Sequence, residues 1–374
     1  MSKNQLFDEF QEVSAKEWKQ KIQVDLKGAD YNETLVWESP EGIKVKPFYH
    51  QNDATPTASV APDSDWNIGQ AIYVQNAKAA NTKALDALDR GAEDMIFTVA
   101  SEEIEVSELL QDIPLETTAI YFNFEFLSSN YIQKIIDFVG DSDANIHLNI
   151  DIIGNLAETG NWYFNLKEDH SLLEEIQQKI ASKKQFTLLG VDVDLYQNAG
   201  ANMAQQLAYA LAHANEYLNH FKDKTENIVF KVSVSGNYFF EIAKLRALRL
   251  LWKSLAAEYG IETNCIILAQ PSKRNKTLYD YNVNMLRTTT ETMAAALGGA
   301  DTVYNLPYDA IYHKDNEFGE RIARNQLLIL KKESYLDAVQ NPAEGTYYIE
   351  SLTQQLSEKA LELFKSIESK GGFL

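Results

Sequence analysis

Acidic side chains near the ends of apolar runs are the first feature with chemical potential. Asp192 and Asp194 follow the run Phe186-Thr-Leu-Leu-Gly-Val191, and Asp301 heads the short run Thr302-Val-Tyr304. Paired carboxylates can divide acid–base work, one holding a proton while the other accepts one. The sequence offers no nucleophile or metal-ligand set beside them. The loop Lys273-Arg274-Asn275-Lys276 carries cations that could meet phosphates or stay solvated. The histidines are His50, His147, His170, His213, His220 and His313. His213 and His220 are seven residues apart on one helical stretch and could share a face, but two imidazoles alone make a poor metal site. His147 stands in a strand-like run and reads as a packed residue. The single cysteine, Cys265, opens the apolar run Cys265-Ile-Ile-Leu268 and reads as a buried structural thiol.

These groups need elements to position them. From Trp66 onward the chain alternates strand-like and helix-like patterns. Strands are expected at 66–74, 94–100, 117–124, 145–153, 185–195, 227–235, 263–269 and 301–305. Helices are expected at 77–90, 104–111, 130–139, 171–182, 199–221, 238–258, 282–297 and 318–331, with a further amphipathic helix at 351–369. Ile228-Val-Phe-Lys-Val-Ser-Val234 is apolar on both faces, as expected of a parallel strand covered by helices. Eight alternations favour closure into a (β/α)8 TIM barrel over an open doubly wound sheet. The expected fold class is therefore α/β, with a barrel and C-terminal helix at 66–374. Carboxylates at strand C-termini would then lie where barrel sites lie, which leaves an independent acid–base enzyme as one reading.

Residues 1–50 read as an arm. Ser14-Ala-Lys-Glu17 is a capping box, and the helix after it sets Trp18, Ile22 and Leu26 on one face, with Gly28 as its stop. An extended stretch, Gly42 to Tyr49, follows. One short helix cannot bury Trp18, Trp37, Phe48 and Tyr49, so these pack on the barrel or on another chain. Residues 51–65 are polar and rich in Pro, Ser and Ala, a linker loop.

The formal net charge of −20 excludes nucleic acid and anionic membrane as partners. Hydrophobic residues at 45% and charged residues at 24% are an ordinary globular balance. No apolar stretch approaches the ~20 residues of a membrane span. The first ten residues lack the apolar core of a secretory leader. A cytoplasmic location is expected.

The second half carries a run of motifs in order: Phe240-Glu-Ile-Ala-Lys-Leu-Arg-Ala-Leu-Arg-Leu-Leu-Trp252, Asn284-Met-Leu-Arg-Thr-Thr-Thr-Glu-Thr-Met-Ala-Ala-Ala-Leu-Gly-Gly299, Arg321-Ile-Ala-Arg-Asn-Gln326 and Pro342-Ala-Glu-Gly-Thr-Tyr-Tyr-Ile-Glu-Ser-Leu-Thr353. With the Gly42–Tyr49 segment, these resemble the adenosylcobalamin-dependent methylmalonyl-CoA mutase family over residues 37–374. Taken by themselves, Glu241, Lys244, Arg246 and Arg249 read as a solvated helix face with surface ion pairs. Gly298-Gly299 reads as a helix C-cap, and Arg321, Arg324 and Asn325 read as structural pairing groups.

The resemblance implies a radical rearrangement of (R)-methylmalonyl-CoA to succinyl-CoA in which the cofactor performs the hard step. It also implies which positions should act. The family's catalytic strand Trp-x-Ile-Arg-Gln-Tyr-Ala-Gly-Phe is matched here by Trp66-Asn-Ile-Gly-Gln-Ala-Ile-Tyr-Val74. Its arginine position is Gly69 and its tyrosine position Ala71. The histidine of Ser-Gly-Tyr-His-Met-Gln-Glu-Ala-Gly falls on Leu195. In Gly-Gly-Thr-Gln-Ser-Leu-His, glutamine becomes Asp301 and histidine becomes Tyr304. The cobalamin motif Asp-x-His-x-x-Gly is also missing, and no cobalamin-binding domain is expected in this chain. The chain thus resembles the small, non-catalytic kind of subunit, with no cofactor of its own and adenosylcobalamin in a large-subunit partner. The pair would form a heterodimer, and the chain alone could form a homodimer. The arm residues Trp18, Trp37, Phe48 and Tyr49 become interface candidates. An acyl-CoA-binding regulatory module using the 273–276 loop is the remaining alternative.

Overall fold

The computed structural model describes residues 9–53, 62, 65–222, 227–263, 265–314 and 316–374. Eight parallel strands close into a barrel: β1 (Asn67–Val74), β2 (Asp94–Val99), β3 (Ile120–Phe124), β4 (Ile146–Ile150), β5 (Phe186–Asp192), β6 (Ile228–Val234), β7 (Cys265–Pro271) and β8 (Thr302–Tyr304). Each strand pairs with its sequence neighbour, and β8 returns to β1 with Thr302 opposite Asn67 and Tyr304 opposite Gly69. The long helices are α1 (Ala15–Asp25), α2 (Ala77–Asp89), α3 (Ser129–Val139), α4 (Leu166–Ile180), α5 (Met203–Phe221), α6 (Tyr238–Glu258), α7 (Val283–Leu297), α8 (Glu317–Leu328) and α9 (Tyr347–Glu368). The predicted TIM barrel is present, and each expected strand has a counterpart.

Two strand expectations run too far. Residues 152–153 and 193–195 belong to short helices, Ile152–Thr159 and Val193–Asn198. In both, an aspartate cuts the apolar run. Asp151 accepts from the Gly154 N–H, and Asp192 from the Leu195 N–H, so each caps a helix start.

The main core lies between the strands' outer faces and the helices. Ile68, Ile72 and Val74 of β1 belong to it. A second, separate apolar cluster fills the barrel itself: Ile96, Ala119, Tyr121, Val229, Leu268 and Tyr304. Alternation along each strand feeds the two.

The expectation of a solvated α6 face is overturned. Glu241, Lys244, Arg246 and Arg249 are all buried, because α6 packs against α5, α7 and α9. Each charge is paired. Lys244 Nζ lies 2.6 Å from Glu241, Arg246 meets Glu350 at 2.6 Å, and Arg249 meets Asp301 at 2.6 Å. Glu350 and Asp301 are remote in sequence, so no i,i+4 pattern could reveal them. Arg324, expected as a structural pairing group, is buried and donates to Gln70 Oε1 at 3.0 Å.

The capping box at Ser14 forms as expected, with the Ser14 N–H 2.8 Å from Glu17 Oε2. Helix α1 ends at Asp25 and is capped by Leu26, two residues before Gly28, and none of its residues is buried. Trp37–Glu38 and Lys44–Val45 pair as a two-residue antiparallel ribbon. Of the 51–65 linker, residues 54–61 and 63–64 lie outside the described residues.

Candidate functional site

Barrel sites assemble at strand C-termini, so that end decides what chemistry is available. β1 delivers Ala71 and Tyr73 there, both exposed. The Tyr73 hydroxyl donates to Glu125 Oε2 at 3.1 Å. β5 and β6 bring Asp192 and Lys231 together, with Lys231 Nζ 2.7 Å from Asp192 Oδ2. Asp194, on the next helical turn, accepts from the Ser233 hydroxyl of β6. Tyr304 of β8 is buried among these groups' interior neighbours.

The electrostatics follow from that packing. Burial raises Asp192, and the Lys231 ammonium opposes the rise. Burial pulls Lys231 down, but Asp192, Tyr304 and Asp194 outweigh it, so the ammonium is held above the ordinary lysine range. A lysine kept protonated is a poor nucleophile. A carboxylate neutralised by its own neighbour is a poor base for an incoming substrate. Asp192 and Lys231 therefore form an ion-paired plug, with Asp194 hydrogen-bonded to Ser233 beside it.

Below the plug the axis is filled. Ile96, Tyr121, Val229, Leu268 and Tyr304 are each at most 5% exposed. Deeper still, Asp94 sits in the floor. The Thr302 hydroxyl donates to Asp94 Oδ2 at 2.6 Å, and the Ala119 N–H donates to Asp94 Oδ1 at 3.1 Å. With its proton committed to Asp94, Thr302 accepts from the Tyr121 hydroxyl at 2.9 Å. Tyr121 stacks on His147 with ring centroids 4.3 Å apart. Burial pushes Asp94 up to about 6, against the hydrogen bonds from Thr302, Ala119 and Asn67. Burial holds His147 down to about 3, so its ring is neutral.

Gly69 and Tyr304 are neighbours inside this filled axis. A Cβ at Gly69 would stand 2.8 Å from Ile96 Cδ1, 3.0 Å from Thr302 Cγ2 and 3.1 Å from Tyr304 Cβ. Ala71 lies above them at the mouth. Leu195 sits at the rim, packed on the outer core, and its N–H faces Asp192 Oδ1 at 3.4 Å. Asp301 is not with them. It precedes β8, at the opposite end of the barrel, where it accepts from Arg249 and from the Ile267 N–H at 2.6 Å. The reading of Asp301 as a strand C-terminal carboxylate is therefore wrong. Asp301 heads its strand, so chain direction alone puts it at the N-terminal end, away from the mouth.

Other sequence candidates are also committed. His213 and His220 do not share a site. His213 Nε2 lies 2.8 Å from Asp151 and its Nδ1 2.7 Å from the Tyr196 hydroxyl, whereas His220 faces Glu174 at 3.0 Å. In the 273–276 loop, Arg274 donates to the Gln197 carbonyl at 2.7 Å, and Lys276 pairs with buried Glu291 at 2.6 Å. Cys265 is buried and its thiol is pushed up to about 12 by that burial. Lys231 and Asp94 were missed by sequence reading. The signal for Lys231 was present: one lysine among the apolar residues of Ile228–Val234.

The arm presents a second surface. Trp18 is 46% exposed and stacks on half-buried Phe48 at 4.3 Å. Trp37 is 49% exposed and meets Phe240 edge-on at 5.8 Å. Tyr49 tilts on Tyr348 at 4.9 Å. Exposed Phe239 also packs on Tyr348, at 5.4 Å. Trp18 and Phe48 thus pack on each other, Trp37 and Tyr49 pack on Phe240 and Tyr348, and both tryptophans stay about half exposed.

Residues 98–374 match the Methylmalonyl-CoA mutase family. A relative named methylmalonyl-CoA mutase small subunit, from Porphyromonas gingivalis, is 36% identical over 99% of this chain and 65% of its own length. One of the same name from Propionibacterium freudenreichii subsp. shermanii is 28% identical over 90% of this chain and 58% of its own length. A methylmalonyl-CoA mutase from Rhizobium meliloti is 26% identical over 96% of this chain and 59% of its own length. The chain thus spans less than two thirds of the length of these relatives.

Proposed function

The chain belongs to the methylmalonyl-CoA mutase family, and from that premise we propose that it is a small, non-catalytic subunit. It serves as the structural partner of a large subunit that interconverts (R)-methylmalonyl-CoA and succinyl-CoA, in cytoplasmic propionate metabolism. The observation that carries this reading is the filled barrel axis around Gly69. Where the family resemblance calls for an arginine, Ile96, Thr302 and Tyr304 crowd the position so closely that even a Cβ would force a neighbour to shift. The loss is steric as well as chemical. A missing preorganised polar group costs ~3–4 kcal/mol of transition-state stabilisation, and a packed axis also removes the space an acyl group would occupy.

The described residues do not fit adenosylcobalamin. The nearest approach to its motif, Glu168-Asp169-His170, lies on α4. There Asp169 is buried and accepts from the Tyr163 and Phe164 N–H groups. His170 Nδ1 is 2.7 Å from the Leu166 carbonyl, and its ring meets His220. We therefore assign the cofactor to the partner. The half-exposed rings of Trp18 and Trp37 support an arm that docks on that partner.

The test is mutase activity, with methylmalonyl-CoA and adenosylcobalamin, of this chain alone, of the large subunit alone and of the two co-purified. The expected result is no turnover by this chain, stable co-purification, and higher activity or stability of the large subunit in the pair. Turnover by this chain alone would overturn the reading.

A further inference from the structure

The loops after β7 and β8 lie side by side at the C-terminal end of the barrel, and their aromatic rings touch. Tyr281, from the β7–α7 loop, stacks on Tyr308 of the β8–α8 loop with ring centroids 6.0 Å apart. Tyr308 meets Phe318, in the first turn of α8, edge-on at 6.3 Å. Tyr312 closes on Tyr281 at 5.3 Å. The rings thus form a row, Tyr281–Tyr308–Phe318, with Tyr312 beside it.

The row is fixed from beneath. Asn284 of α7 is fully buried, and its Nδ2 donates to the Tyr308 carbonyl at 3.0 Å and to the Thr277 carbonyl at 2.9 Å. Its Oδ1 accepts from the Thr277 N–H at 3.0 Å. One side chain therefore ties both loops together, and a surface held in advance loses little freedom on association. The rings themselves remain partly in water. Phe318 is 51% exposed and Tyr281 40%, while Tyr279, two residues before it, is 99% exposed.

The ends of the row carry opposite charges. Exposed Asp280 adjoins Tyr281 at one end. At the other, the guanidinium of exposed Arg321 stands 5.6 Å over the Phe318 ring. Lys314 and Glu317, also exposed, add one charge of each sign.

We propose that this row is the contact face between two copies of this chain, paired about a twofold axis through Tyr308. A twofold contact needs a patch that is its own complement. Laying one row on another end for end puts rings on rings and brings Asp280 of each copy to Arg321 of the other. The whole chain carries 54 acidic against 34 basic residues, so most surfaces of two copies repel. A face whose charges balance is where the copies can approach. Tyrosine, phenylalanine and arginine are also the residue types enriched in interface cores. None of these residues belongs to the arm, so the contact is separate from docking of the large subunit.

Sedimentation velocity of the chain alone tests it. At ~50 mM salt, where charge is weakly screened, the sedimentation coefficient should rise with concentration. The expected Kd is ~10 μM, as for a small polar interface. Asp280→Arg and Arg321→Asp should each weaken association at least ~10-fold, because each sets like charges across the axis. Both positions are exposed, so the fold is kept. An equimolar mixture of the two variants should associate as wild type does, since opposite charges then face each other at both contacts. A chain that stays monomeric up to about 100 μM, well above the expected Kd, would overturn the proposal. So would variants that associate as wild type, or a mixture that associates no better than either variant alone.

Discussion

Along the barrel axis, Ile96, Tyr121, Val229, Leu268 and Tyr304 interlock, and Asp94 and Thr302 are hydrogen-bonded. On the arm, Trp18 and Trp37 stay about half exposed, and α1 buries none of its residues. Both regions are rich in aromatic and apolar side chains, yet one satisfies itself and the other does not. The proposed docking through the arm rests on that difference. On this reading the interface with the large subunit lies on the arm rather than in the barrel mouth.

The most severe way to break that contrast is to restore the family's arginine at the axis. Gly69→Arg forces a long charged side chain against Ile96 Cδ1, Thr302 and Tyr304. Overpacking costs ~1–3 kcal/mol and an unpaired buried charge adds more. The expected outcome is a loss of at least ~3 kcal/mol in urea unfolding, with no mutase activity gained. A variant that kept wild-type stability would mean that the axis is looser than its packing shows.

How much of this contrast was legible beforehand depends on which neighbours a residue has. Strand positions were readable to within a few residues, because apolar runs such as Phe186–Val191 and Ile228–Val234 speak for themselves. The helix starts at Asp151 and Asp192 were hidden inside such runs. The burial of Lys244, Arg246 and Arg249 was not legible, because their packing and most of their partners come from distant chain. Asp301 was assigned to the wrong end. The crowding around Gly69 depends on β2 and β8 at once, and no local pattern reports that.

The floor of the axis gives a smaller effect whose sign is informative. Unfolded, Asp94 titrates near ~3.9; folded, burial lifts it to about 6. Between these values the folded chain holds a proton that the unfolded chain has released, so low pH favours folding. That contribution is lost as pH rises through the folded value. Asp94→Asn removes the titration and keeps an acceptor for Thr302. Its stability relative to wild type should therefore improve by about 2–3 kcal/mol between pH 4 and pH 7. The comparison is made by urea unfolding at both pH values. A constant difference would show Asp94 to be ionised with its hydrogen bonds compensating fully.

The smallest effect on the isolated chain belongs to the arm, and it is the one that sharpens the comparison. Trp18 stacks on Phe48 at 4.3 Å but leaves nearly half its surface in water. Trp18→Ala removes one offset aromatic contact and some part-buried area, so unfolding of the chain alone should shift by no more than ~1 kcal/mol. If the open side is the docking face, the same substitution should weaken association with the large subunit by at least ~2 kcal/mol, as a buried tryptophan anchor would. Calorimetry of the two purified subunits reads the second number and urea unfolding the first. A large association loss beside a small stability loss supports docking through the arm. Equal, small values for both would leave Trp18 as a surface residue and move the search for the interface to Trp37 and Phe239 beside it.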